Sequence, residues 1–156
     1  MIVVSDTTAI SNLSTIGSVE LLRSLFDRVL VPTAVYAELL AWHDDLPDWL
    51  EVVPVRDIAR VTEFHKSVHA GEAEAIALAL EVRPDWLLLD DSDGRKLARQ
   101  KGLPVLGLLG CLLLAKQRGF INRVSELLDR LQNEAGFYLN DQVREEVLRL
   151  AGESRG

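Results

Sequence analysis

Two short apolar runs in this chain end in aspartate. Asp6 follows Ile2-Val3-Val4 after a single serine, and Asp90-Asp91 follow Trp86-Leu87-Leu88-Leu89 directly. Stretches of helical spacing separate the runs, the pattern of strands joined in parallel by helical crossovers. Parallel strands put their C-terminal ends along one sheet edge, where such folds open a binding crevice. Glu38 and Glu72 lie between the two runs, in helical patterns with mostly apolar neighbours. Four or five carboxylates gathered at that edge would repel one another. At an effective dielectric near 20 and a spacing of about 4.5 Å, each pair costs roughly 3–4 kcal/mol. Protons or a cation must offset that cost, and oxygen-only donors suit a hard divalent metal.

The remaining pattern supports an α/β chain. Arg28–Val31 reads as a second strand closed by Pro32, Glu51–Val55 as a strand or extended connection, and Leu103–Leu106 as a short strand. Helices are expected from Asp6 to about Leu13 and over Ser18–Phe26, and over Thr33–Trp42 with Val35, Leu39 and Trp42 on one face. Further helices are expected over Asp57–His69, Gly71–Val82, Asp91–Lys101, about Gly107–Arg118, Val124–Asn133 and Asp141–Leu150, the last capped by Asn140. Alternation of this kind implies a parallel sheet covered on both faces. A length of 156 residues without repeats or linkers fits one domain.

Composition narrows the function classes. A net charge of −7 argues against nonspecific coating of nucleic acid. The mean hydropathy of +0.11 leaves room for a buried subunit interface. Cys111 is the single cysteine, which excludes an intramolecular disulfide, and its apolar surroundings mark a buried thiol. No signal peptide is visible, and the longest apolar stretch, Leu103–Ala115, falls short of the roughly 20 residues that span a bilayer. A cytoplasmic protein without a membrane role is expected. His43, His65 and His69 form no ligand set with the lone cysteine, no P-loop or GxGxxG is present, and Trp42, Trp49 and Trp86 read as core or interface residues.

Each acidic residue also has a structural reading. Asp6 can cap a helix, Glu38 can be a solvated helix residue, and Glu72 can complement a helix N-terminus. Glu74 points away from Glu72 on the same helix and is the weaker candidate. Asp90, Asp91 and Asp93 exceed what one cap requires. Taken as a set, the acids carry more weight than any one of them.

The segments IVVSDTTAISNL, VPTAVYAEL, GEAEAIALAL, LLLDDSDGRKLA and LPVLGLLGCLLLAKQRGFI, in this order over residues 2–121, resemble the PIN domain family, in its toxin-like prokaryotic branch. The resemblance implies a three-layer α/β/α fold with a central parallel sheet, and a helical C-terminal tail from about residue 122. It also implies a Mg²⁺- or Mn²⁺-dependent endoribonuclease acting on single-stranded RNA, controlled by a small antitoxin protein and forming a homodimer. By position, Asp6, Glu38, Glu72 and Asp91 match the family's catalytic and metal-binding acids, with Asp90 competing with Asp91 for the last place. Thr7 matches a hydroxyl residue after the first aspartate. Leu89 and Leu108 stand where relatives often carry threonine, which removes two hydroxyls while leaving the acids intact.

Residues 95–123 carry Arg95, Lys96, Arg99, Lys101, Lys116, Arg118 and Arg123 and no acid. Arg95, Lys96 and Arg99 are therefore candidate RNA contacts beside Thr7. The competing reading has Lys101, Lys116 and Arg118 complementing helix C-termini, and Arg95 pairing with Asp91 or Asp93. The rival to an enzyme is a noncatalytic nucleic-acid-binding or interaction module with the same fold.

Overall fold

The computed structural model describes residues 1–153, so the end of the expected domain, residues 154–156, lies outside the described residues. Its strands are β1 (Ile2–Ser5), β2 (Arg28–Val31), β3 (Leu50–Val52), β4 (Trp86–Leu88) and β5 (Val105–Leu106). They form one parallel sheet in the order β3-β2-β1-β4-β5. The chain steps outward from β1 to β3, then crosses back to lay β4 against the other side of β1. That reversal opens a crevice beyond the C-terminal ends of β1 and β4. Register aligns Val4 with Leu87 and Ser5 with Leu88, and the Asp6 amide donates to the Leu88 carbonyl at 2.9 Å. The acids that follow the two strands therefore emerge side by side.

The helices are α1 (Thr7–Thr15), α2 (Glu20–Leu25), α3 (Thr33–Trp42), α4 (Ile58–Phe64), α5 (Ala70–Val82), α6 (Ser92–Gln100), α7 (Leu108–Gln117), α8 (Val124–Glu134) and α9 (Asp141–Leu150). Side chains alternate across the sheet. Val3 and Leu88 enter one core with Ile10, Leu22, Phe26, Leu112 and Leu128, which belong to α1, α2, α7 and α8 or border them. Val4, Leu87 and Leu89 enter the other with Phe64, Ile76, Leu78 and Ala98. These are the three expected α/β/α layers, with the C-terminal helices packed on the first face. Burying one such leucine or phenylalanine stabilises the fold by about 1.5–3 kcal/mol. In α5, Ala73, Ala75, Ala77 and Ala79 are wholly buried, so the helix backbone lies close on the sheet.

Several boundaries differ from those expected, each for a local reason. The helix expected to run to His69 stops at Phe64, whose carbonyl accepts the amides of both Ser67 and Val68. The His65 ring closes that turn through Nδ1 and the Val68 carbonyl at 2.9 Å. The third strand starts at Leu50 and ends before Pro54, which has no amide to give a ladder. The last strand begins at Val105, after Pro104, whose carbonyl still accepts the Leu87 amide at 2.8 Å. Asn140 caps α9 as expected, accepting from the Val143 amide. Trp42 departs from the face expected of α3: Val35 and Leu39 are buried, but Trp42 closes the helix beyond the packed layer and is 81% exposed. Cys111 is buried in the first core.

Candidate functional site

Asp6 holds the N-cap position of α1 with extended backbone angles, yet its side chain caps none of that helix's inner amides. It is buried, and it lines the crevice. Burial drives its pKa up to about 6; the Thr7 amide pulls the other way, and the charges of Glu38, Asp90 and Asp91 push it further up.

Asp91 caps α6, its Oδ2 accepting the Gly94 amide at 2.9 Å. Asp90 turns both oxygens to the Leu108 amide, at 3.1 and 3.2 Å, and so ties the end of β4 to the start of α7. Burial raises the Asp90 pKa, while the Leu108 amide and the nearby Arg95 guanidinium restrain it. Arg95 therefore acts on Asp90, and it forms no ion pair with Asp91 or Asp93 among the described residues.

Glu38 reaches the crevice from α3, where its exposed carboxylate accepts the Thr7 hydroxyl at 2.5 Å. Glu72 reaches it from the first turn of α5 and is buried. Burial, then the charges of Asp91 and Asp6, push the Glu72 pKa up to about 8. His69 Nδ1 stands 3.2 Å from Glu72 Oε1. Glu74 turns away, accepting the Ala34 amide at 3.1 Å and so fastening α5 to the start of α3. It positions the two helices that carry Glu38 and Glu72.

Asp6, Glu38, Glu72, Asp90 and Asp91 thus line one recess of about 460 Å³, together with Thr7, Thr8 and His69. Among the described residues, no three histidine, cysteine or acidic side chains yet stand as a metal-holding group. The carboxylates face a common space rather than a common point, as mutually repelling groups do. The donors are carboxylate oxygens, the kind that Mg²⁺ and Mn²⁺ take. Asp6 has no basic ion-pair partner among the described residues, although it is buried. The residues fit a hard divalent cation on these grounds.

Three glycines escaped the sequence reading. A Cβ at Gly71 would collide with Glu38 Oε1; one at Gly94 would come within 3.2 Å of Glu72 Oε2; one at Gly107 would come within 3.0 Å of Asp90 Oδ1. Gly71 and Gly94 sit inside the first turns of helices, where glycine costs up to about 1 kcal/mol against alanine. That cost was the available signal. Thr8 and His69 were also missed as lining residues.

The basic stretch divides in two. Lys116 binds the Ala151 carbonyl and Glu153, Arg118 reaches the Leu25 carbonyl, and Arg123 Nε lies 3.9 Å from Glu153. Lys101 lies over the Phe64 ring. Lys96 and Arg99 are exposed on α6 without an ion pair among the described residues. No described helix is long and apolar enough to cross a membrane.

The DUF3368 family model, a PIN domain, matches residues 2–153. No curated protein matches the chain. PIN domains are in general metal-dependent nucleases. A match over nearly the whole length, on a parallel sheet that opens its crevice among these acids, makes this chain a member of the PIN domain family.

Proposed function

We propose that the chain is a Mg²⁺- or Mn²⁺-dependent endoribonuclease that hydrolyses phosphodiester bonds of single-stranded RNA. In this reading it is the toxin of a toxin–antitoxin pair, a cytoplasmic homodimer restrained by a small antitoxin protein. The observation that carries the nuclease reading is the single recess in which Asp6, Glu38, Glu72, Asp90 and Asp91 meet. Exposed Leu40 and Trp42 on α3 support a protein partner.

Asp6 and Asp91 would hold the cation directly, with Glu38 and Glu72 completing the set and Asp90 bracing Asp91 from the chain position before it. When bound, the cation lowers the pKa of adjacent water and offsets charge on the phosphate. Thr7 holds Glu38 by one oxygen, and Asp91 spends Oδ2 on its helix cap, so each keeps the other oxygen for the recess. Glu72 keeps a proton at neutral pH while the site lacks a cation, which limits the repulsion. Lys96 and Arg99 would draw the RNA backbone toward an otherwise acidic edge.

Cleavage of a labelled single-stranded RNA in Mn²⁺ tests the proposal. Wild type should cut and Asp6→Asn should not; equal cutting by both would point to a contaminant and sink it. A noncatalytic RNA-binding module is the second reading, favoured by Leu89 and Leu108 at the places where relatives often carry a hydroxyl. It predicts RNA binding with no cleavage in either protein.

A further inference from the structure

His69 occupies the N-cap position of α5, but its side chain caps none of that helix's amides. One ring nitrogen lies 3.2 Å from Glu72 Oε1, while the side chain as a whole is 87% exposed. The ring stands beside the Glu72 carboxyl with its faces open, so a flat ligand can be laid on it without displacing a packed neighbour.

The acidic recess continues past this ring. A second recess of about 350 Å³ shares His69, Glu72 and Asp91 with the first and extends along Lys66, Ser67 and Asp93. Of the three side chains that the two recesses share, His69 alone offers a flat ring to a strand crossing between them. The second recess is poorly suited to phosphate. Glu72, Asp91 and Asp93 line it, and the ammonium of Lys66 is engaged by Glu63 at 2.9 Å. A neutral, flat group suits it better, and unstacked nucleobases stack on histidine as on other aromatic rings.

We infer that His69 is the platform for the nucleobase next to the reacting phosphate, and that the second recess is a base pocket. Which phosphate reacts rests on the nuclease reading; the stacking does not. The platform selects single strands, because a base inside a duplex has both faces covered by its stacked neighbours.

Fluorescence anisotropy with short single-stranded RNAs in Ca²⁺ tests this, using an intact oligomer and a set with one abasic position each. His69→Ala should weaken binding of the intact oligomer roughly tenfold, the size expected for one stacked base. His69→Phe, which keeps a flat ring, should stay within about threefold of wild type. One abasic position should weaken wild type by the same factor as His69→Ala and have no effect in that variant. If His69→Phe binds as weakly as His69→Ala, or if no abasic position is coupled to residue 69, the inference is overturned. Cleavage in Mn²⁺, assayed separately on wild type, reports on the nuclease reading alone: coupled binding without cleavage leaves the platform standing and removes the enzyme.

Discussion

Glu38 Oε1 fills the space that a Cβ at Gly71 would take. The residue that yields the room sits on α5, one position before Glu72, and the carboxylate that uses it comes from α3. Gly71→Ala should therefore separate site from fold. The obstructed atom is the end of a flexible side chain, and alanine is the better helix former by up to about 1 kcal/mol. Thermal stability should hold or rise slightly, while Mn²⁺ affinity by calorimetry falls by about tenfold, one of the carboxylates that complete the proposed set having been moved. Unchanged metal affinity would remove Glu38 from the proposed set.

The raised carboxylates give the metal-free protein a pH-dependent weakness. Glu72 rises from 4.5 to about 8 and Asp6 from 3.8 to about 6, so the folded state binds more protons than the unfolded chain between those values. Stability from these groups is full below about pH 4 and is lost as pH rises through 6 and then 8. Urea midpoints should therefore fall from pH 5 to pH 9 without divalent cation. Saturating Mg²⁺ should remove most of that fall, and its apparent affinity should strengthen as pH rises through the same window. A flat profile without cation would contradict the burial and crowding of these two carboxylates.

Glu153 works in the opposite sense. Burial would raise its pKa, but Lys116 and the amides of Val124 and Ser125 outweigh that and bring it down to about 2. Its side chain is 5% exposed and joins the end of α9 to the start of α8. Its contribution is present above about pH 4.5 and is lost as pH falls toward 2. Glu153→Gln should cost about 1–3 kcal/mol at pH 7, with the difference from wild type shrinking on acidification. RNA cleavage per folded molecule should not change.

Lys96 and Arg99 should carry the ionic part of RNA binding. Replacing both with alanine should lower the slope of log affinity against log salt by about 1.4, since each contact to a single strand contributes roughly 0.7. Replacing Arg118, which faces the Leu25 carbonyl, should leave the slope alone. The reverse result would move the RNA to the other side of the molecule.

Strand positions were legible because the buried runs at Ile2–Val4, Arg28–Val31 and Trp86–Leu89 are nearly all apolar. The acids after the first and last of these runs followed from topology. Glu38 and Glu72 were weaker: each has an ordinary helical context, and only tertiary packing brings them beside Asp6. Other features depend on contacts that composition does not encode. Glu153 looks like a solvated residue near the end of the chain until Lys116 and two amides close around it. The stop of α4 at Phe64 depends on the His65 ring reaching the Val68 carbonyl. Gly71, Gly94 and Gly107 were passed over, because what they make room for lies on other elements.

The reversal in strand order has a consequence for synthesis. Until β4 has been made and inserted beside β1, Asp6 has no neighbour on that side, and Asp90 and Asp91 do not yet exist in the nascent chain. A ribosome stalled before β4 would carry at most Asp6, Glu38 and Glu72, without the floor that holds them together. Whatever this crevice does to a passing ligand therefore waits on the synthesis of β4 and of the two aspartates that follow it.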